Sequence, residues 1–433
     1  MEEDIQRYRI KTSDRVEQRL QEAIKKAADE LGRQTAQDKE LLHALSVVKQ
    51  FIQRKKRICY GGTAMNEILP KSKRFYDPET DLPDYDFYTP DVDQDVEDLI
   101  QDLQKEGFKD IYHKVGIHDG TKKILVNFVA VADITAIDEE LYAVIFRRSV
   151  VKDGIHYTDP EILRMMMYLE LSRPHGDVSR WEKVFERLQL INQEFPIRGS
   201  CKGEQRYEKL IPKEVHKIIL DFAIEKERIL CNGPLAAIYS KGIRHKAIFD
   251  SKVSGPLFFT SPDPKADISA LKARLPGYDL SKYLHEARGD IVPMRVELRM
   301  GDVPVCMFIE ETACHSYNTV LLPDRRHIDI ASLEFLITLY LSILIFTNHS
   351  TDFLGQQILC QVKKFIDLSR ENYKAKRSQF PPFSLKCKGH QVSYASLLKA
   401  KIGRVKEEKE KEKKRTRKMR RKQKAKTKKA ESK

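Results

Sequence analysis

Two adjacent glycines, followed some twenty residues on by two aspartates one residue apart, are the groups in this chain best suited to phosphate chemistry. They lie in the stretch ICYGGTAMNEILPKSKRFYDPETDLPDYDFYTPD, residues 58–91. A glycine turn lets backbone approach a phosphate closely, and a helix start behind it adds free N–H groups and a positive dipole end. Asp84 and Asp86 alternate with Tyr85 and Phe87. A strand here would put both carboxylates on one face and both rings in the core. Paired carboxylates hold hard divalent cations, which share their coordination with nucleotide phosphates. Two such ions, roughly 3.5–4 Å apart, stabilise the attacking and leaving oxygens of an in-line phosphoryl displacement. Taken singly, Gly-Gly is a tight turn and the acidic stretch a solvated loop. The order of strand, Gly-Gly, helix, loop and Asp-x-Asp strand points instead to metal-assisted nucleotidyl transfer.

That chemistry needs a third carboxylate on a neighbouring strand. Asp133, in the apolar run VNFVAVADIT, is the candidate, because a lone Asp in such a run is costly unless paired or metal-bound. Asp138 is the rival and fits better as a helix cap. The elements that must position these groups follow from periodicity. Helices are expected over 13–33, with Ser13 as cap, and over 38–55, with Leu41, Leu42, Leu45, Val48 and Ile52 facing inward. The second ends in Arg54-Lys55-Lys56-Arg57, a solvated helix end or a hold on RNA or triphosphate. Further helices are expected over 92–106, 162–171 (capped by Asp159, with Pro160 first), 178–195, 213–228 and 353–373. Apolar segments at 111–115 and 124–134 supply strands. Met165–Met167 read as packing residues.

With 433 residues, 41% of them hydrophobic, the chain is long enough for two or three cored domains. The net charge of +14 is concentrated after Gly403, where 17 Lys/Arg face five Glu. The expected tail, 404–433, is therefore basic and disordered. Seven cysteines without a CxxC argue against a disulfide scaffold and for a reducing compartment. Cys314-His315 and Cys387-x-x-His390 lack partners at zinc-site spacing and read as buried or bystander thiols. The N-terminus has no signal-peptide core, and the apolar run 335–346 is too short to span a bilayer. No membrane role is expected.

At an offset of 172 residues the chain repeats itself faintly. Cys59 meets Cys231, Gly61 meets Gly233, Ala64 meets Ala236, Asp91 meets Asp263, Asp95 meets Asp267, His113 meets His285 and Tyr168 meets Tyr340. In the second copy Gly62, Asp84 and Asp86 become Pro234, Pro256 and Phe258, and Val305 falls opposite Asp133. The second copy is thus expected to be a structural or RNA-contacting lobe. The corresponding divisions are a helical region (1–55), a catalytic domain (56–175), a helical bridge (176–228), a degenerate domain (229–403) and the tail.

The order GGTAMN, LPDYDFYT, VADIT and a second lobe resembles the poly(A) polymerase catalytic subunits of poxvirus, mimivirus and asfarvirus type, within the polymerase β-like nucleotidyltransferases. The resemblance covers roughly residues 50–350. It implies an α+β nucleotidyltransferase fold with an active and a degenerate lobe, adding AMP from ATP to RNA 3′ ends. It also implies that Gly61 and Gly62 hold the triphosphate, and that Asp84, Asp86 and Asp133 hold two divalent ions, Mg²⁺ or Mn²⁺. The superfamily often has Ser after the first glycine. Here Gly62 stands there, and the hydroxyl for a phosphate contact comes from Thr63. Adenine selection would come from a pocket between the lobes or from the helix over 160–171. Implied partners are an RNA 3′ end, ATP, and a second copy or a viral processivity subunit. The implied setting is host cytoplasm or virion, with nuclear import by the tail a further option. A CCA-adding or oligoadenylate-forming enzyme would carry the same triad, and a non-catalytic RNA-binding protein is the alternative without chemistry.

Overall fold

The computed structural model describes residues 14–414 apart from 78, 199–210, 233–234, 242–254, 323, 348–352, 376–379, 394, 408 and 411–412. Ser13 therefore lies outside the described residues.

Helix α1 (Asp14–Ala36) is largely exposed. In α2 (Lys39–Lys55) the Asp38 carboxylate caps the start by accepting from the N–H groups of Glu40 and Leu41. Leu41, Leu45, Val48 and Ile52 are buried as their spacing requires, joined by Phe51, whereas Leu42 faces solvent. Three of the four cations in the basic run at its end are engaged within the fold, with Arg54 still more than half exposed. Arg54, Lys55 and Arg57 pair with Asp102, Asp98 and Asp95, which lie on one face of α4 (Val92–Lys105). Lys56 turns the chain in a left-handed C-cap.

The first sheet runs β3-β4-β5-β2-β1-β7-β6, built from β1 (Ile58–Cys59), β2 (Asp86–Thr89), β3 (Ile111–Val115), β4 (Thr121–Val126), β5 (Val129–Ala136), β6 (Val150–Lys152) and β7 (Ile155–Tyr157). The apolar segment expected over 124–134 is in fact two strands. Asn127 and Phe128, both with positive φ, make the two-residue turn of a β4–β5 hairpin. Between sheet strands lie α3 (Gly61–Ile68), α4, α5 (Glu139–Arg148), and then α6 (Pro160–Leu171) and α7 (Trp181–Glu194). Asp138 caps α5 and Asp159 caps α6. Met165 and Met167 are buried in the core, as packing residues should be.

After α8 (Lys213–Glu225) a second sheet repeats the plan. Its order is β10-β11-β12-β9-β8-β14-β13-β15, from β8 (Ile229–Leu230), β9 (Leu257–Ser261), β10 (Leu280–His285), β11 (Arg295–Met300), β12 (Val303–Glu310), β13 (His315–Leu321), β14 (His327–Ala331) and β15 (Cys387–Lys388). Strand for strand this matches the first sheet, with β15 added at one edge. Helices α9 (Leu235–Lys241), α10 (Pro264–Ala273), α11 (Leu333–Phe346) and α12 (Phe353–Lys374) complete it. Helix α5 has no counterpart, because β12 passes to β13 in four residues. The closing helices of the two copies meet, with the Thr338 hydroxyl of α11 donating to the Met165 carbonyl of α6 at 3.4 Å. One apolar cluster runs from α3, α5 and α6 into the second copy, and another fills the space between α2, α4 and the first sheet.

The copies share a clamp. Arg57 grips buried Asp95 through two hydrogen bonds of 2.6 and 2.9 Å, and Arg228 grips Asp267 through two of 2.7 and 3.1 Å. Asp91 and Asp263 each cap the helix that carries the clamped aspartate. The register corrects the constant offset. Phe87 and Phe259 correspond, but Cys59 pairs with Phe87 and Leu230 with Phe259, so Cys59 answers to Leu230 and not to Cys231. Gly233 and Pro234 lie outside the described residues. Phe258 does stand where Asp86 stands: its carbonyl accepts from Cys231 N–H as that of Asp86 does from Tyr60. Met307, not Val305, takes the place of Asp133, since Met307 faces Phe258 as Asp133 faces Asp86. The longer β10–β11 connection shifts the numbering there, and the shorter α10 upstream already puts His285 out of register with His113, whose place Lys282 takes.

Two other expectations change. Cys314 and Cys387 are not bystander thiols: they form a disulfide with Cα atoms 5.2 Å apart, because β15 pairs with the start of β13. Cys59, Cys231 and Cys306 are free and buried. The basic tail does not begin as an unstructured segment at 404. Residues 395–407 are helical, running past the expected start of a disordered tail, and Arg404 donates to the Ile117 carbonyl at 2.9 Å. Residues 415–433 lie outside the described residues. Among the described residues no helix is long and apolar enough to cross a membrane.

Candidate active site

Helix α3 begins at Gly61 itself, with no side-chain cap on Tyr60, so its first N–H groups carry no side-chain acceptor. Both glycines are sterically required. Gly61 has φ +70°, and a Cβ there would lie 2.8 Å from the Asp86 carboxylate. A Cβ on Gly62 would lie 2.2 Å from the Tyr76 hydroxyl and 2.9 Å from the Arg187 guanidinium. The chain is thus folded so that Asp86 lies directly over the glycine turn.

Asp86 opens β2 and is paired in register with Asp133 on parallel β5. Asp84 is not in the strand, contrary to the alternation expected for 84–87. The Asp86 N–H donates to the Asp84 carbonyl at 3.0 Å, a tight kink before the sheet begins. Thr63 secures that kink, its hydroxyl donating to the Asp84 carbonyl (2.7 Å) and accepting from the Asp84 N–H (3.1 Å). Thr63 is buried, and through these two bonds its hydroxyl positions Asp84. Tyr85 and Phe87 are buried, as the alternation predicts.

The three carboxylates sense one another. Burial, reinforced by Asp84 and Asp133, pushes Asp86 up to about 8. Burial and then Asp133 push Asp84 up, opposed by Lys123, Lys183 and Arg187. Lys123, across the β4–β5 ladder, forms an ion pair with Asp133. A half-buried cluster of three anions that holds a proton near neutrality is suited to a divalent cation, whose charge offsets the repulsion and whose oxygen preference the donors meet.

A cationic wall that the sequence reading missed faces this cluster. Arg180 acts on Asp86, while Lys183 and Arg187 act on Asp84. Burial, with Arg187 and Arg180 nearby, pushes Lys183 down. Arg187 donates to the Tyr76 hydroxyl at 3.2 Å and lies over the Phe75 ring at 4.4 Å, which fixes its guanidinium beside Gly62. The spacing of Lys183 and Arg187 on one face of α7 was a legible signal. What it faced was not, because α7 lies about fifty residues beyond Asp133 and about a hundred beyond Asp84 and Asp86. Beneath the site Tyr60 stacks on Tyr88 at 4.1 Å and shares a hydrogen bond of 2.9 Å with Thr135, a rigid floor for the strand ends.

Residues 46–177 match the family described as poly(A) polymerase catalytic subunit. A protein of Acanthamoeba polyphaga mimivirus named for that subunit is 34% identical over 247 residues, 54% of this chain and 41% of its own length. African swine fever virus proteins of the same name are 30% identical over 164 residues, 36% of this chain and 34% of theirs. The chain thus spans less than half the length of the curated relatives it matches. The crystal structure of the Megavirus polyadenylate synthase superposes with a TM-score of 0.70 at 20% identity, covering 95% of this chain and 86% of that one, and so shares the fold. The Asp84, Asp86 and Asp133 cluster and its glycine turn all fall inside residues 46–177, the segment that matches the family described as poly(A) polymerase catalytic subunit.

Proposed function

We propose that this chain is a template-independent polynucleotide adenylyltransferase that adds AMP from ATP to RNA 3′ ends. The observation that carries the reading is the in-register Asp86–Asp133 pair over the Gly61-Gly62 turn, faced by Lys183 and Arg187 and replaced by Phe258 and Met307 in the second copy. Asp84, Asp86 and Asp133 would hold divalent metal, Mg²⁺ or Mn²⁺. Bound there, the metal would acidify the primer hydroxyl and offset charge on the transferring phosphoryl group. The residues of this chain do the rest. The Gly61-Gly62 turn and the start of α3 offer backbone N–H groups to the triphosphate, while Lys183 and Arg187 balance its charge. The primer 3′-oxygen forms a bond to the α-phosphorus as the bond to the β-phosphate oxygen breaks, and pyrophosphate leaves. The proton shed by the hydroxyl has carboxylate acceptors in the same cluster.

The test is extension of a defined RNA primer by the purified chain, offered each of the four nucleoside triphosphates in turn. AMP addition well above the others, lost in Asp84→Asn and Asp86→Asn, is the expected result. Ordered C and A addition would favour a CCA-adding enzyme. Full activity in the folded Asn variants would place the site elsewhere.

A further inference from the structure

Outside this site, three soft metal-binding side chains from distant parts of the chain are brought together. His175, Cys314 and Cys387 place one donor atom each so that all lie within 4.8 Å of one another. The Cys314 sulfur is 3.8 Å from His175 Nδ1. Tetrahedral zinc, with Zn–S about 2.3 Å and Zn–N about 2.0–2.1 Å, sets its sulfur and nitrogen ligands about 3.6 Å apart. The imidazole is therefore already at ligand distance from one sulfur. His175 sits in the turn after α6, Cys314 immediately before β13, and Cys387 on β15. The turn that follows Cys387 is tight against the same strand. Gly389 has φ +102°, and a Cβ there would lie 2.2 Å from the Ala313 carbonyl. Two residues past Cys314, the Ser316 N–H donates to the Ser172 carbonyl at 2.8 Å, so the scaffold of the cluster is anchored independently of it.

We propose that, with its disulfide reduced, this cluster binds one Zn²⁺ through the Cys314 and Cys387 thiolates and His175, leaving the fourth position to solvent or to His390 at the end of the same turn. Disulfide and metal compete for the same sulfurs. Opening the S–S bond takes two electrons, from a dithiol that closes to its own disulfide or from a phosphine that takes oxygen from water to become its oxide; the dithiol or that water supplies the two protons, which metal binding then displaces. The ion ties the end of the catalytic lobe's α6 to two strands of the second lobe, so that the junction stays fastened in a reducing medium where the disulfide opens. The spacing rules that find zinc sites in sequence miss this one, because its three ligands come from three separate segments.

Cobalt is the probe. Full-length protein, stripped of metal and reduced with a phosphine without air, is titrated with Co²⁺. A thiolate-to-cobalt charge-transfer band with tetrahedral d–d absorption is expected, saturating at about one equivalent and bleached by Zn²⁺. Cobalt held by the aspartates alone has oxygen ligands and gives no such band. Cys314→Ser and Cys387→Ser should each abolish the band in the reduced protein, and the oxidised wild type should lack it. His175 is exposed, so His175→Ala keeps the fold while weakening binding about tenfold or more. A reduced wild type without the band, or a band that persists in both serine variants, overturns the assignment.

Discussion

Replacing Asp86 by Asn should destroy activity and, without metal, stabilise the fold. In EDTA the folded chain keeps a proton on Asp86 up to about 8, whereas the unfolded chain releases it near 3.8. A carboxylate whose folded value is raised makes stability fall as pH rises between those two values, at about 1.4 kcal/mol per unit. From 3.8 to 7 that amounts to about 4 kcal/mol. Part of that rise comes from the neighbouring charges of Asp84 and Asp133, which remain in the variant, so a single substitution recovers about half, about 2 kcal/mol. Asn is isosteric and fits over Gly61 as Asp does. The assay is urea unfolding of both proteins in EDTA at pH 4, 7 and 8, beside AMP incorporation into an RNA primer. We expect no advantage for Asp86→Asn at pH 4, a growing one to pH 8, and activity down by on the order of 10²–10³ or more. An Asn variant no more stable than wild type at pH 8, or one equally favoured at pH 4, would refute the picture of mutually repelling, half-buried carboxylates.

Lys183→Gln and Arg187→Gln should raise the KM for ATP more than they change RNA affinity, as separate titrations of each substrate would show. Asp95→Ala and Asp267→Ala should each destabilise by about 3–5 kcal/mol, since each strands a half-buried arginine; denaturant unfolding checks this, and a loss confined to one copy would mean that the clamps are not equivalent. Glu334, buried at the start of α11 and accepting from the Tyr373 hydroxyl at 2.9 Å, is pushed above its ordinary 4.5 by burial. Its charge therefore costs stability above that value, so Glu334→Gln should melt higher than wild type at pH 8 and no higher near pH 4.

The site's carboxylates were legible because each sits where local pattern is strong: Asp86 among alternating aromatics, Asp133 in an apolar run. The duplication was legible too, through caps and clamps that hold fixed positions along a helix. Register was not. A one-residue slip between β1 and β8 and a longer β10–β11 connection leave no trace in a constant offset, and they misassigned the partners of Cys59 and Asp133. The kink at Asp84 was hidden because it depends on Thr63, twenty-one residues away. The Cys314–Cys387 bond was hidden for the same reason, as it rests on strand pairing between segments seventy residues apart. The three-residue strands β6 and β7 are too short for any period to show.

The matched Arg57–Asp95 and Arg228–Asp267 clamps have a consequence for how such a chain changes over time. Each fastens a helix to its own sheet without touching the reacting groups, so the second copy could lose every carboxylate of the cluster and remain assembled. Phe258 and Met307 relieve that sheet of the like-charge repulsion that Asp84, Asp86 and Asp133 impose on the first. A molecule with one copy under selection for reactivity and the other free to drift toward rigidity can carry a strained centre on a borrowed foundation. Innovation in such a lineage is to be sought on the surface of the quiet copy, where substitutions risk neither the chemistry nor the clamp.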